Sequence, residues 1–86
     1  MANTFIFTSF AEKKFLKLEK EIQKRIKTKL QELKHHEHLE SVLKTLVDFD
    51  PATHRLRVGD YRLILQKKSL NEYFILDIGN RSDIYR

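Results

Sequence analysis

Two hydrophobic rhythms divide the chain. Thr4-Phe5-Ile6-Phe7 is a short aromatic and β-branched run followed by Thr8-Ser9, which predicts an opening strand that ends where a helix starts. Ser9 with Glu12 three residues on has the spacing of a capping box, so the helix is expected to begin at Ser9. From there Ala11, Phe15, Leu18, Ile22, Ile26, Leu30 and Leu33 recur at helical spacing, drawing one apolar stripe, with Lys, Glu and Gln on the other faces. Unbroken from Ser9 to Lys34, this helix would run ~39 Å at 1.5 Å per residue, against about 30 Å for a domain of this size. A bend is therefore expected near Leu18 to Glu21, although neither glycine nor proline marks it.

Residues 35 to 53 lose the helical period and contain the one proline, Pro51. They predict a connecting segment whose leucines and Phe49 tuck under a sheet, with a turn at Asp50-Pro51-Ala52-Thr53. The rhythm then changes to a period of two. His54 to Val58, Tyr61 to Gln66 and Tyr73 to Ile78 each read as a strand, with Gly59-Asp60 and Lys68 to Glu72 as hairpin turns. The expected fold is α+β: two N-terminal helices packed on one face of a small, mostly antiparallel sheet, in the order β-α-α-β-β-β, as a single domain over residues 1–86.

Composition narrows the chemistry. The chain has no cysteine, so disulfides and thiolate zinc sites are excluded and a reducing compartment is the natural reading. Nowhere do about 18 apolar residues run together, and the N-terminus has no signal-like pattern, so a soluble cytoplasmic protein without a membrane partner is expected. Seventeen Lys plus Arg against twelve Asp plus Glu give a net charge of +5, which favours polyanionic or acidic partners. Nine of the eleven lysines precede residue 54, whereas five of the six arginines lie beyond it, so two kinds of basic surface are implied.

The second kind carries the chemistry. In Arg55-Leu56-Arg57-Val58, alternation puts Leu56 and Val58 on the helix-covered face and both arginines on the other. Arg62 follows on the hairpin partner, and Arg81 follows the next strand after Gly79-Asn80. Four guanidinium groups converging on one sheet face repel one another, and a bound phosphate relieves that repulsion through the bidentate fork of arginine. The plain alternative is a solvated face with ion pairs to Asp60, Asp77 or Asp83, each worth little.

The run Arg55-Leu56-Arg57-Val58-Gly59-Asp60-Tyr61-Arg62-Leu63-Ile64, with Ile78-Gly79-Asn80-Arg81-Ser82-Asp83-Ile84-Tyr85-Arg86, resembles the RelE/ParE toxin superfamily, in particular its RelE-like ribonuclease branch. The element order agrees as well, so the resemblance covers almost the whole chain. It implies the toxin of a type II toxin-antitoxin pair, an endoribonuclease (mRNA interferase) that cuts messenger RNA in the ribosomal decoding site and is silenced by a cognate antitoxin. It implies that Arg55 and Arg57 contact phosphate, that Arg62 and Arg81 stabilise the scissile phosphate, and that Tyr85 lies against the RNA. Lys67 and Arg86 are the further basic residues expected on the RNA, and no cofactor or metal is implied. Some relatives carry lysine where Arg55 and Arg57 stand, and Asn80 replaces a frequent histidine, so the general acid and base are not assigned by the resemblance.

Two other readings stay open: a ParE-like inhibitor of DNA gyrase on the same fold, and a non-catalytic RNA-binding module. His54 borders the arginine strand, but alternation puts it on the Leu56 face. His35, His36 and His38 lack a fourth ligand at recognisable spacing and read as a solvated helix end. There is no phosphate-cradling glycine loop, paired-carboxylate motif or serine elbow, so other enzyme classes have little support.

Overall fold

A computed structural model describes residues 2–80 of the chain. The opening strand β1 (Thr4–Phe7) leads into helices α1 (Ser9–Leu16) and α2 (Lys20–Lys34). A 3₁₀ turn at Leu39–Ser41 and a two-residue strand β2 (Lys44–Thr45) follow, then strands β3 (His54–Val58), β4 (Tyr61–Ser69) and β5 (Glu72–Asn80). The five strands form one sheet in the order β1-β5-β4-β3-β2, antiparallel except where β1 runs parallel to β5. This is the expected α+β arrangement with one addition: β2 pairs Lys44 with Arg55 and Thr45 with His54 inside the segment expected to be irregular.

The predicted helix is two helices, because its full length exceeds the longest dimension of the molecule, 31 Å. The break falls at Lys17 to Glu19, where Lys17 N–H and Leu18 N–H close tight turns onto the carbonyls of Lys14 and Phe15 and Glu19 is extended. No glycine is needed there because the buried amide of Gln23 donates to the carbonyls of Leu16 (3.3 Å) and Leu18 (2.9 Å), satisfying the acceptors that the break exposes. A second buried amide closes the other end. Asn3 Nδ2 donates to Leu33 O (2.8 Å) and His36 O (3.1 Å), and Asn3 N–H donates to Lys34 O, which ties the start of β1 to the last turn of α2.

The α1 cap lies one residue before the capping box expected at Ser9. Thr8 is extended, and its hydroxyl oxygen accepts from Ala11 N–H (3.2 Å) while donating to Ile75 O (3.1 Å). Thr8 N–H also bonds Ile75 O, so the sheet holds Thr8 in the capping position.

Ala11, Phe15, Ile26 and Leu33 from the apolar stripe are buried against Leu56, Leu63, Leu65, Tyr73, Ile75 and Ile78. Across the sheet, Leu56, Leu63 and Ile78 stand in one register row and are almost inaccessible. Leu39 and Leu43 of the connecting segment join this core, whereas Phe49 does not tuck under: it is 51% exposed. The turn at its side forms as expected, with Ala52 N–H donating to Phe49 O. No helix among the described residues is long and apolar enough to cross a membrane.

Candidate nucleic-acid interface

The β3–β4 register brings three expected arginines together. Arg57 stands directly opposite Arg62, and Arg55, two residues along β3, stands opposite Ile64. Directly opposed side chains share a face with Cβ atoms about 5 Å apart, so Arg55, Arg57 and Arg62 occupy the face away from Leu56, Leu63 and Ile78. Arg57 is exposed while Arg55 and Arg62 are half-buried. Arg62 in turn faces Gly79 across β4–β5. Arg81, Tyr85 and Arg86 lie outside the described residues.

A tight turn fixes this arrangement. Gly59 has φ of +61°, in the left-handed region that favours glycine, and with Asp60 it reverses the chain so that Arg57 meets Arg62. Arg57 Nε donates to Gly59 O at 3.2 Å, which angles its guanidinium toward the turn. From the helix side, a guanidinium nitrogen of Arg25 lies 3.4 Å from where a Cβ on Gly59 would stand. The one arginine among the lysines of α2 therefore abuts the turn that presents the arginine row. Its departure from the lysine composition of that helix is the only sequence signal for it.

One other expected residue lies elsewhere. Lys67 shares the parity of Leu63 and Leu65 and pairs with buried Tyr73, which puts it on the helix-covered face rather than beside the arginines. Its ammonium lies 3.4 Å from Glu40 Oε1 and 6.0 Å from the Tyr73 ring centroid. His54 is buried on that same face, as alternation predicts, with Nε2 2.9 Å from Glu40 Oε2 and Nδ1 2.8 Å from Thr53 Oγ1. Glu40 thus clamps the connecting segment to the sheet. Tyr73, beneath this cluster, has its hydroxyl pushed above the ordinary tyrosine range by burial and then by the Glu40 carboxylate, with Lys67 opposing. These groups are walled from the arginine face by the sheet. His36 Nδ1 accepts from His38 N–H at 3.1 Å, a local turn after α2.

Asp77, opposite Ile64 and thus in the Arg55 row, brings a carboxylate to the arginine face. Its Oδ1 accepts from Lys14 Nζ (2.7 Å) and Ile78 N–H (2.8 Å). Sequence reasoning took Asp77 as a possible arginine partner; among the described residues it pairs with the α1 lysine. Chemically, the face offers preorganised guanidinium donors suited to a run of phosphates.

Comparison with known proteins agrees with this fold. Solved structures of similar fold include the toxin-antitoxin complex RelBE2 from Mycobacterium tuberculosis, with a TM-score of 0.77 and 24% identity over 94% of this chain and 100% of that one. The Escherichia coli toxin RelE, solved free as a double arginine-to-alanine mutant, gives a TM-score of 0.71 and 24% identity over 98% of this chain and 88% of that one. At such identity they establish a shared fold. No curated protein matches the sequence. The family described as the ParE toxin of type II toxin-antitoxin systems, parDE, matches residues 5–85, and the chain therefore belongs to that toxin family, within the RelE/ParE superfamily.

Proposed function

We propose that this toxin is a RelE-like endoribonuclease that cuts messenger RNA in the ribosomal decoding site and is silenced by a cognate antitoxin protein laid over the basic sheet. The observation that carries the reading is Arg57 directly opposite Arg62, with Arg55 two residues along, on the sheet face that the helices leave open. Guanidinium groups in such register match the charge and spacing of a run of phosphates, which an RNA backbone supplies. The antitoxin partner is supported by the likeness to a toxin-antitoxin complex.

In the proposed reaction the ribose 2′-oxygen attacks the adjacent phosphorus and loses its proton to water. The bond from phosphorus to the 5′-oxygen breaks, leaving a 2′,3′-cyclic phosphate, and the departing oxygen gains a proton. Arg62 and Arg81 hold the charge that builds on the phosphorane, while Arg55, Arg57 and Arg86 position neighbouring phosphates. Arginine holds its proton too tightly for ordinary acid catalysis, so Tyr85 is assigned the proton given to the 5′-oxygen. His54 has no part in this, being buried on the other side of the sheet.

A second reading, a ParE-like inhibitor of DNA gyrase, is favoured by the family match itself. Two assays on the purified toxin separate them. Mapping 5′ ends of a message during translation in vitro should show cuts within translated codons and none in the same RNA without ribosomes, with gyrase supercoiling unaffected. Inhibition of supercoiling with an intact message would overturn the nuclease reading in favour of the second.

A further inference from the structure

The loop joining β2 to β3 leans over the open face of the sheet and walls a groove of about 340 Å³ against β4 and β5, lined by Leu46, Phe49, Pro51, Ile64, Leu76 and Asp77. Ile64 and Asp77 face each other in the register row of Arg55, next to the row that holds Arg57, Arg62 and Gly79. Two residues along a strand span about 7 Å, the kind of step a nucleotide makes from its phosphate through the ribose to its base.

We propose that this groove is a base-reading pocket selective for guanine in the RNA whose phosphates lie on the arginine row; the inference rests on the RNA reading given above and deepens it. Three features point to a base. Ile64 and Leu76 are half-buried and give the groove an apolar floor of the size a flat ring covers. At the rim, Phe49 is 51% exposed, and an aromatic ring beside a cationic phosphate track is the usual platform for an unstacked base in single-stranded RNA. The third feature is Asp77, among the described residues the one charged group lining the groove.

Asp77 sets the selectivity. Among the described residues the bonds to its carboxylate fall on Oδ1, from Lys14 Nζ and Ile78 N–H, and Oδ2 is assigned to a donor from the groove. An ionised carboxylate only accepts. The Watson–Crick edge of guanine offers N1–H and the N2 amino group side by side. On adenine and cytosine the amino group sits beside a ring-nitrogen acceptor, and on uracil N3–H lies between two carbonyls, each of which a carboxylate repels. Lys14 balances the charge of Asp77 from outside the groove, which keeps an acid tolerable there without occupying the reading edge.

The other occupant such a groove could take is an apolar side chain of the antitoxin. The guanidinium row two residues away favours the nucleotide, because phosphate and base then fall on adjacent rows of one sheet. The test uses the purified full-length toxin and 2′-O-methyl oligouridine hexamers, which cannot be cut, carrying one central guanosine, inosine, adenosine or abasic site. Fluorescence anisotropy should show the guanosine hexamer bound about tenfold tighter than the abasic one. Inosine, which lacks the N2 amino group, should lose about threefold relative to guanosine.

In Asp77→Asn the guanosine, inosine and adenosine hexamers should converge. In Phe49→Ala all three should fall toward the abasic value, with the salt dependence kept. Lys14→Met removes the ion pair while retaining Asp77, and its guanosine preference should persist. If Asp77→Asn fails to fold, the inosine contrast in the wild type and the Phe49→Ala result decide the matter. Salt-dependent binding with equal affinity for guanosine and abasic hexamers would overturn the pocket alone. The same result, with antitoxin affinity lost in Phe49→Ala, would assign the groove to the protein partner. No salt-dependent RNA binding at all would instead overturn the RNA reading on which the pocket stands.

Discussion

Replacing Arg57 by glutamine should make the protein more stable and worse at holding RNA. Arg57 and Arg62 are directly opposed on one face, and Arg57 is the exposed member of the pair. Two unit charges ~7 Å apart in water repel by about 0.6 kcal/mol. Salt at physiological strength, with a screening length of about 8 Å, reduces this by roughly half, while the half-burial of Arg62 works the other way. The bond from Arg57 Nε to Gly59 O offsets little, because it is exposed and water replaces it. A net gain of about 0.5 kcal/mol follows, in the range measured for cross-strand pairs. For a domain of this length it should raise Tm by about 2–4 °C. Thermal unfolding at 0.15 M and 1 M salt checks it, since the gain should disappear at the higher concentration. On RNA the same variant should lower the slope of log affinity against log salt by about 0.7, the value for one lost phosphate contact on a single strand. A variant that is less stable at both salt concentrations would refute the reasoning, because Arg57 would then be a structural residue.

Three further outcomes follow from the packing. Leu63→Ala empties the centre of the Leu56, Leu63 and Ile78 row, where Leu63 is fully buried, and should cost about 2–5 kcal/mol by urea denaturation. Asn3→Ala leaves the carbonyls of Leu33 and His36 without their side-chain donor and should cost about 1–3 kcal/mol, with amide exchange in the last turn of α2 rising first. Stability should also fall on the alkaline side. Burial and then Glu40 raise the Tyr73 hydroxyl above its ordinary range, so the folded chain keeps a proton that the unfolded chain loses near pH 10. That contribution is complete below about pH 10 and is lost as pH rises through the folded value, and Tyr73→Phe should flatten this decline in unfolding measured against pH.

The apolar stripe from Ala11 to Leu33 and the alternation around Leu56 and Leu63 were legible because each is a local pattern that burial enforces. The break in the helix was legible as a matter of length, but not its cause, since Gln23 and Asn3 look like surface amides until the chain folds back on them. Asn3 reaches across thirty residues to Leu33, a contact no local pattern encodes. Phe49 read as core by hydropathy alone, yet it stands at the rim of a groove on the opposite face. Lys67 could have been placed correctly from its parity with Leu63 and Leu65. A bulge complicates the next strand: Leu65 pairs with Ile75 but Ile64 with Asp77, so the inward positions shift from Tyr73 and Ile75 to Ile78. That three-residue step is visible in the sequence, and it is what turns Asp77 onto the arginine face. Of the expected site, Arg55, Arg57 and Arg62 came together because alternation and a two-residue turn suffice to align them.

The nuclease proposal stands on guanidinium groups of the open sheet face acting on RNA phosphate. Cleavage of a translated message by Arg62→Ala, with unchanged circular dichroism as proof of folding, tests it most directly. Loss of one preorganised donor to the phosphorane predicts a fall of about 10²–10³ in cleavage rate at the same codons. Cutting by the folded variant at the rate of the wild type would contradict it.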